Sequence, residues 1–223
     1  MREISLIQRQ VLDLFKKFPL KDQFYWTGGT LLSVLYLHHR KSKDLDFFSN
    51  EPFSYNEIIG FVRFLKKKLN LAHIKEKKIF DRYEFFLYNK DKLRIEFVFY
   101  DHPKIKVRKK WQGIFVDSLD DIAANKIMAF FDRNDPKDLY DLYFLLTKKG
   151  YKVKQLLKLV KKKFGVELTE SSFWSETYKS MKEIKSLRPF LLVKKSEDKA
   201  KIIKKIKNYF INHSTQYLHR LIK

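Results

Sequence analysis

The sequence predicts an α+β protein in which an N-terminal mixed β-sheet with flanking helices precedes a C-terminal helical bundle. Three observations support this class. Residues 24–48 place strand-like segments on both sides of a short apolar helix. Residues 72–100 include segments that alternate apolar and polar side chains with the period of two that is typical of strands. From residue 118 onward, apolar residues recur at helical spacing instead.

The composition is that of a basic chain without cysteine. It has 223 residues, of which 44% are hydrophobic, and this content is sufficient for a core. The absence of cysteine excludes disulfides and thiolate metal sites, which is compatible with the cytoplasmic location that we expect. No apolar run approaches the length of a membrane span, and the N-terminus does not resemble a signal peptide, so no membrane partner is expected.

The formal net charge of +22 is unevenly distributed. Residues 151–223 alone contain 19 basic and 6 acidic side chains. Such a charge favours a polyanionic partner, RNA or DNA, and fast association that weakens with salt. The alternative is a lysine-rich solvated surface of the kind that is common in proteins from AT-rich genomes.

The first elements follow in chain order. An amphipathic helix is expected from Ser5 to Phe18, where Pro19 ends it. A second helix is expected from Asn56 to Asn70, with lysines at the C-terminal end that suits cations. Residues 72–100 read as strands, interrupted by a turn at Asn89-Lys90-Asp91.

The later elements are mainly helical. The basic stretch Asp101–Gly113 reads as a loop or linker, and a short strand follows at Ile114–Val116. Helices then begin near Ser118 and Pro136 and continue towards the C-terminus. We therefore expect two domains, residues 1–110 as the core and residues 111–223 as a basic helical domain.

Two acidic residues on one predicted strand form a candidate metal site. Asp44 and Asp46 flank a single leucine, and residues two apart on a strand share a face. Two adjacent carboxylates repel each other and are costly to bury without a partner. A divalent cation removes this conflict, and Mg²⁺ is usually held by one or two carboxylates together with substrate phosphates. The pattern predicts a site for one or two Mg²⁺ ions.

A glycine turn before the short helix forms a candidate phosphate site. Gly28 and Gly29 follow the first aromatic strand, and the helix begins after Thr30. Glycines let the backbone approach a ligand closely, and the N–H groups of turns and helix N-termini attract anions. A Gly-Gly pair alone, or a pair of aspartates two residues apart alone, is common in proteins. In this order along the chain, the turn and the acidic strand predict a bound nucleoside triphosphate (NTP) with Mg²⁺.

Glu96 is an acid in the middle of the alternating strand 92–100, on the same face as Arg94 and opposite to Leu93, Ile95 and Phe97. From the strand pattern alone, it could be a glutamate that pairs with Arg94 or a lysine at a sheet edge.

These motifs carry a family resemblance. Gly-Gly-Thr and the acidic strand resemble the first motif of the DNA polymerase β-type nucleotidyltransferase superfamily. The form Gly-Gly-Thr followed by His-Arg-x-Ser-x-Asp-Leu-Asp-Phe-Phe is similar, more narrowly, to the AbiEii/AbiGii-type nucleotidyltransferase toxins. A second block matches that family in the same order, with a lysine on a helix, an arginine, and Lys-Asp-x-x-Asp-Leu. The matching residues of this block are Lys126, Arg133, Lys137, Asp138 and Asp141.

The resemblance covers roughly residues 20–150 and implies a metal-dependent nucleotidyltransferase. It implies that Asp44, Asp46 and Glu96 hold Mg²⁺. Lys126 would contact a phosphate, and Asp141 the nucleotide or metal, so that the helical domain completes the nucleotide site and binds the acceptor. The implied catalytic residues are Asp44, Asp46, Glu96, Lys126 and Asp141. The implied nucleotide-binding residues are Gly28, Gly29, Thr30, Ser42, Lys126, Arg133, Lys137, Asp138 and Asp141.

The resemblance also implies the biological setting. The expected acceptor is RNA, with the 3′ end of a tRNA as the first candidate, and the expected role is that of a toxin in a toxin-antitoxin or abortive-infection phage-defence system. A separately encoded antitoxin would accompany it. The turn has Gly-Gly-Thr where many members of the superfamily have Gly-Ser. Two alternatives stay open: transfer to a small molecule or protein side chain, and a catalytically inactive nucleic-acid-binding protein on the same fold.

Overall fold

The computed structural model describes residues 2–89 and 92–222. It divides the chain into two compact units, residues 1–119 and 120–223. The first unit contains a mixed β-sheet with helices, and the second is helical. The predicted α+β class is therefore confirmed. Of the turn predicted at Asn89-Lys90-Asp91, Lys90 and Asp91 lie outside the described residues.

The first unit is organised around a seven-stranded sheet. Its strands are Tyr25–Thr27 (β1), Asp44–Ser49 (β2), His73–Ile79 (β3), Arg82–Tyr88 (β4), Lys92–Phe99 (β5), Lys109–Trp111 (β6) and Ile114–Val116 (β7). Their order across the sheet is β3-β4-β5-β2-β1-β7-β6. The pairs β2–β5 and β1–β7 are parallel, and the other neighbours are antiparallel. The acidic strand β2 therefore lies at the centre of the sheet.

Helices Leu6–Phe15 (α1) and Tyr55–Lys68 (α3) pack against the apolar face of this sheet. Each helix begins with a serine capping box, which satisfies N–H groups that the first helical turn leaves without partners. Phe15 of α1 stacks on Phe47 of β2, with ring centroids 4.1 Å apart, and meets Phe61 of α3 edge-on. Because side chains alternate along β2, burying Leu45 and Phe47 on this face turns Asp44 and Asp46 to the other.

The connection after β1 contains the short helix Gly28–Leu31 (α2) and a wider π-helical segment, Leu32–Leu37. His38 ends the segment in the left-handed conformation. Leu31, Leu32 and Leu37 are fully buried, as expected for core residues. The helix predicted after the glycine turn is therefore present, but it begins at Gly28 itself.

Residues 109–111 correct the prediction that the whole stretch Asp101–Gly113 is a loop or linker. Lys109–Trp111 forms β6, which pairs with β7 through a tight turn at Gln112 and Gly113. Both turn residues have positive φ, 50° and 89°, as the two-residue turns that match strand twist require. Both strands on either side of this turn thus belong to the sheet of the first unit.

The second unit consists of five α-helices within its described residues. They are Leu119–Arg133 (α4), Pro136–Thr147 (α5), Val153–Phe164 (α6), Glu170–Ser180 (α7) and Ser196–Ile222 (α8). Asp135 caps α5, and Gly165 ends α6 with a φ of 70°. Phe130, Phe173 and Phe210 are wholly buried in its core. Within residues 2–89 and 92–222, no helix is both long enough and apolar enough to cross a membrane.

Candidate active site

Gly28 lies directly against the carboxylate of Asp46. Its φ is +78°, a conformation that residues with a side chain rarely adopt. A Cβ atom at this position would lie 1.9 Å from Oδ2 and 2.7 Å from Cγ of Asp46. No side chain fits without moving the carboxylate or the turn. The glycine that the sequence singled out therefore acts at least in part by leaving room for Asp46.

Three acidic residues form a row across the open face of the sheet. Asp46 on β2 is the direct strand partner of Glu96 on β5, and Glu96 is the direct partner of Glu84 on β4. Direct partners share a face and lie within interaction distance, and like charges in such positions destabilise a sheet. We call Asp46, Glu96 and Glu84 the carboxylate row. Asp44 lies two residues along β2 on the same face.

Two arginines partly offset the charge of these acids. Arg94 of β5 bridges two of them, with Nη2 at 3.1 Å from Oδ2 of Asp44 and Nη1 at 3.2 Å from Oε1 of Glu84. Burial alone lowers the pKa of Arg94, but the surrounding carboxylates, first of all Asp44, raise it overall. Arg82 lies with Nε at 3.0 Å from Oε1 of Glu96. Arg94, the predicted alternative partner of Glu96, thus bridges Asp44 and Glu84 instead. The ion-pair partner of Glu96 is Arg82.

Glu96 is held in an environment that disfavours its charged form. Burial and, after it, the negative charge of Asp46 raise the pKa of Glu96 to about 8, although Arg82 and Arg94 act in the opposite direction. Near neutral pH, a pKa of about 8 keeps this carboxyl group mainly protonated in the protein alone. The arginines therefore do not fully offset the repulsion within the carboxylate row, which is the condition that a bound cation would relieve.

The residues present suit Mg²⁺ in chemical type. Asp44, Asp46 and Glu96 offer only carboxylate oxygens, the ligands that this ion prefers. Among the residues that the structure describes, no three His, Asp or Glu side chains are already grouped as a metal site. Asp44 is instead paired with Arg94. A cation at this position would compete with Arg94 for the carboxylate of Asp44.

Thr30 and Ser42 hold the beginning of β2. The hydroxyl of Thr30 is buried, lies 2.6 Å from Oγ of Ser42, and donates to the main-chain oxygen of Asp44. The N–H of Ser42 donates to the main-chain oxygen of Glu3 at 3.0 Å. These contacts fix the backbone that carries the acids. The predicted contact of Thr30 and Ser42 with a nucleotide stays a prediction.

A buried acid that the sequence did not single out anchors the other side of the glycine turn. Asp117, directly after β7, is wholly buried and accepts hydrogen bonds from Oγ1 of Thr27 at 2.8 Å and Nε of Arg108 at 3.1 Å. The guanidinium carbon of Arg108 lies 3.3 Å from the ring centroid of Tyr25. Thr27 precedes Gly28 and is the strand partner of Asp46. Asp117 therefore helps to fix the residue on which the turn begins.

Four of the five residues of the second sequence block come together within the second unit. Nζ of Lys126 lies 2.7 Å from Oδ1 of Asp138 and 2.9 Å from Oδ2 of Asp141. Arg133 approaches Oδ2 of Asp138 with Nε at 2.8 Å and Nη2 at 2.7 Å. Both aspartates are wholly buried. We call Lys126, Arg133, Asp138 and Asp141 the lysine cluster, and its acids and cations balance in number.

Lys137 takes a different position. Its Nζ lies 3.1 Å from Oδ2 of Asp135 and 5.2 Å from the ring centroid of Phe190. Asp135 is also the residue that caps α5, so this pair belongs to the helix start. The predicted role of Lys137 towards a nucleotide stays a prediction.

A pattern in the sequence indicates Arg82 and Glu84, which were not among the predicted site residues. Arg82-x-Glu84 and Arg94-x-Glu96 repeat the same spacing on two consecutive strands. Two such pairs on one face of neighbouring strands place four charges together. The repeat was not recognised because Glu84 lies in an otherwise aromatic segment. For Asp117, the short strand before it gave no comparable pattern.

Comparison with known proteins gives first the fold. JHP933 from Helicobacter pylori aligns over 96% of this chain and 93% of its own, with a TM-score of 0.58 and 19% identity. A candidate nucleotidyltransferase from H. pylori aligns over 95% and 94%, with a TM-score of 0.58 and 21% identity. At these identities the likeness shows a shared fold.

The sequence comparisons then give the family. The chain matches the family described as nucleotidyl transferase AbiEii toxin, type IV toxin-antitoxin system, over residues 10–214. It is also 34% identical over 168 residues to the uncharacterized protein aq_aa25 of Aquifex aeolicus (strain VF5), a match that covers 74% of this chain and 77% of that protein. The family match thus places the chain among nucleotidyl transferases. The chain is a member of the AbiEii toxin family, which confirms the family that the motifs predicted.

Proposed function

We propose that this toxin is an Mg²⁺-dependent enzyme that transfers a nucleoside monophosphate from an NTP to a hydroxyl group of an acceptor RNA. The 3′ end of a tRNA is the first candidate for the acceptor. The family supports the transfer reaction and the toxin role. The metal, the acceptor and the individual residues are part of the proposal.

One observation carries the proposal at atomic level. The glycine turn and the acidic strand, which are separate in sequence, meet at the contact between Gly28 and Asp46. Such a contact is expected where a backbone must come close to a ligand that the carboxylate also approaches. It places the predicted phosphate-binding turn and the predicted metal ligand next to each other.

In the proposed reaction, the oxygen of an acceptor hydroxyl forms a bond with the α-phosphorus of the NTP. The bond from that phosphorus to the bridging oxygen breaks, and pyrophosphate leaves with that oxygen. Bound Mg²⁺ would supply electrostatic stabilisation of the attacking and leaving oxygens. Asp44, Asp46 and Glu96 would hold it. The hydroxyl proton passes to a carboxylate or to solvent. Glu96, or another carboxylate of the site, would help to take up this proton.

The charge of the chain supports RNA as the acceptor. The net charge of +22 favours a polyanionic partner, and residues 151–223 hold 19 of the 48 basic residues against 6 of the 26 acidic ones. A toxin that modifies RNA would act in the cytoplasm, which is compatible with the absence of cysteine. Membership of a type IV toxin-antitoxin family supports a separately encoded antitoxin and a role in phage defence.

The role of the lysine cluster towards the nucleotide is a separate part of the proposal. The contacts of Lys126 with Asp138 and Asp141 account for its burial without any ligand. Binding of a fluorescent NTP analogue to the Lys126→Met protein tests the point. If Lys126 contacts a phosphate, affinity falls in a variant whose helical content is unchanged. Unaltered affinity would contradict this role.

The direct test of the function is radiolabel transfer. The purified protein is incubated with total RNA, Mg²⁺ and each α-labelled NTP in turn, beside an Asp46→Asn control. We expect label from one NTP in an RNA band of tRNA size, and none with the control variant. This result would fix the reaction, the donor and the acceptor class together.

Other outcomes identify the alternatives. Label in a protein band or a small molecule would show the corresponding acceptor and contradict the RNA part of the proposal. Absence of transfer with every NTP, while the protein still binds RNA, would indicate a catalytically inactive RNA-binding protein.

A further inference from the structure

The open face of strands β3 to β5 carries a basic and aromatic surface next to the carboxylate row. Strand register places His73, Lys75 and Lys77 of β3 beside Tyr88, Phe86 and Glu84 of β4, in that order, and Tyr88 beside Lys92 of β5. Direct partners project from the same face of a sheet. We call the surface formed by His73, Lys75, Lys77, Phe86, Tyr88 and Lys92 the lysine–aromatic face.

Exposed basic side chains lie close to the two rings of the lysine–aromatic face. Nζ of Lys92 lies 4.7 Å from the ring centroid of Phe86 and 5.6 Å from that of Tyr88, and Nζ of Lys75 lies 6.0 Å from Tyr88. His73 stacks on Tyr88 with centroids 4.2 Å apart and ring planes 12° apart. The three lysines and His73 are exposed, and the two rings are half-buried.

The opposite face of the same hairpin differs. There Tyr83 packs in the ring cluster of Phe53 and Tyr55, and Tyr55 hydrogen-bonds to Glu76 at 2.7 Å. The aromatic side chains of that face are used in contacts with the rest of the first unit. The chain thus places Lys75 and Lys77 on the open face and Glu76, between them, on the packed one. This separation gives the open face a positive outer edge.

The lysine–aromatic face leads directly to the carboxylate row. Lys77, Glu84, Glu96 and Asp46 are successive partners across β3, β4, β5 and β2. Three strand spacings separate the first from the last, a span of about 14 Å. Single-stranded nucleic acid is bound by cations that contact its phosphates and by aromatic rings on which its bases stack. The lysine–aromatic face offers both, and it lies next to the candidate metal ligands.

We propose that the lysine–aromatic face binds an unpaired end of the acceptor RNA. Lys75, Lys77 and Lys92 contact its phosphates. One or two bases stack on Phe86 and Tyr88, in place of the Lys92 and His73 side chains that lie on these rings in the protein alone. The terminal nucleotide is thereby directed towards Asp46. An unpaired segment is required because the faces of paired bases are already stacked within a duplex. This inference rests on the proposed RNA acceptor, but it concerns binding and is tested without catalysis.

The experiment measures fluorescence anisotropy of a labelled single-stranded RNA of about a dozen nucleotides, within the range of known single-strand sites. The full chain is used, without NTP or divalent metal. The same sequence annealed to its complement serves as the paired probe. The charge variant is Lys75→Gln with Lys77→Gln, and the ring variant is Tyr88→Leu. Lys78→Gln is the control for one removed charge, since Lys78 is also exposed on β3 but faces the other side.

We expect the wild-type protein to prefer the single strand. The ring variant should bind it about tenfold more weakly, since stacking of a base on an aromatic side chain contributes roughly 1–3 kcal/mol. The charge variant should bind more weakly. The salt dependence of its binding should be smaller, by an amount that corresponds to about one to two lost phosphate contacts. Lys78→Gln should bind within about twofold of wild type. Because the two lysines are exposed, the charge variant tests the surface even if Tyr88→Leu fails to fold.

Three results would overturn the proposal. They are equal binding of paired and single-stranded probes, an equal loss per removed lysine in the charge variant and in Lys78→Gln, and no binding of the single strand. The binding experiment distinguishes this inference from the proposed function because it uses neither NTP nor metal. Loss of single-strand binding in the charge and ring variants would support the inference even if no NTP supported transfer.

Discussion

The carboxylate row and the lysine cluster, each within its own unit, differ in how their charges are compensated. In the lysine cluster, two cations contact two wholly buried aspartates at 2.7–2.9 Å. At the carboxylate row and the adjacent Asp44, two arginines are shared among Asp44, Glu84 and Glu96, and the pKa of Glu96 is still raised to about 8. A balanced cluster is stable as it stands, whereas carboxylates that still repel each other favour the binding of a cation.

The largest expected effect concerns the carboxylate row and its glycine. Gly28→Ala should reduce nucleotidyl transfer roughly a thousandfold, the scale seen when electrostatic stabilisation of a transition state is lost, because its Cβ displaces Asp46. Transfer is measured with the α-labelled NTP that gives label with the wild-type protein. Gly60→Ala is the matched control, since a Cβ on Gly60, within α3, meets nothing within 4 Å. Similar activities of the two variants would contradict a catalytic role for the Gly28–Asp46 contact.

The next effect is on stability and concerns the lysine cluster. Lys126→Met should lower the free energy of unfolding by about 3–5 kcal/mol, since it leaves two buried aspartates without their shared ammonium. Urea denaturation measures the change. Lys137→Met is the control, because its partly exposed pair with Asp135 should contribute less than about 1 kcal/mol. Equal stability of Lys126→Met and wild type would show that the cluster is not a structural element.

The third effect is a pH dependence of stability, which we expect from Glu96 in the carboxylate row. Glu96 has an ordinary pKa of 4.5 when unfolded and about 8 when folded, so the folded state retains a proton that it loses as pH rises towards 8. Stability of the metal-free wild type should therefore fall between about pH 4.5 and 8, by on the order of a few kcal/mol. Glu96→Gln carries no such proton. Its melting temperature relative to wild type should rise across this window in EDTA, and a constant difference would disprove the assignment.

The smallest effect concerns the competition for Asp44. Removing the guanidinium in Arg94→Gln should strengthen binding of Mn²⁺, used as a probe for Mg²⁺, roughly tenfold, which corresponds to about 1.4 kcal/mol. Electron paramagnetic resonance of free Mn²⁺ measures the affinity without activity. Lys92→Gln removes a positive charge from the same face of β5, two residues away, and should change the affinity less. Weaker binding in Arg94→Gln would mean that the arginine supports the site rather than competes for it.

Much of the fold was predictable because local patterns and final packing agree. The alternation of β2 buries Leu45 and Phe47 and turns Asp44 and Asp46 outward, as the sequence indicates. The helix predicted to begin near Pro136 also begins at that residue. Strand β6 was missed because its basic residues have weak strand preference and its pairing depends on a two-residue turn.

The charge pairs of the site were less predictable than its acids. The acids follow from periodicity along one strand, which is a local property. The choice of partners depends on register between strands, which fixes Glu96 beside Asp46 and Glu84 and leaves Arg94 to bridge Asp44 and Glu84. Register is set by long-range pairing that one sequence does not display. The roles of the predicted site residues towards a nucleotide accordingly remain predictions.

The edges of the sheet have a consequence for self-association. Both terminal strands carry exposed lysines, Lys75, Lys77 and Lys78 on β3 and Lys109 and Lys110 on β6. A sheet edge presents N–H and C=O groups with which a strand of a second copy could pair, and lysines on edge strands oppose such pairing. Addition of one copy to another along either edge would bring rows of like charge together. The sheet is thereby protected from growth into larger aggregates while its open face stays available.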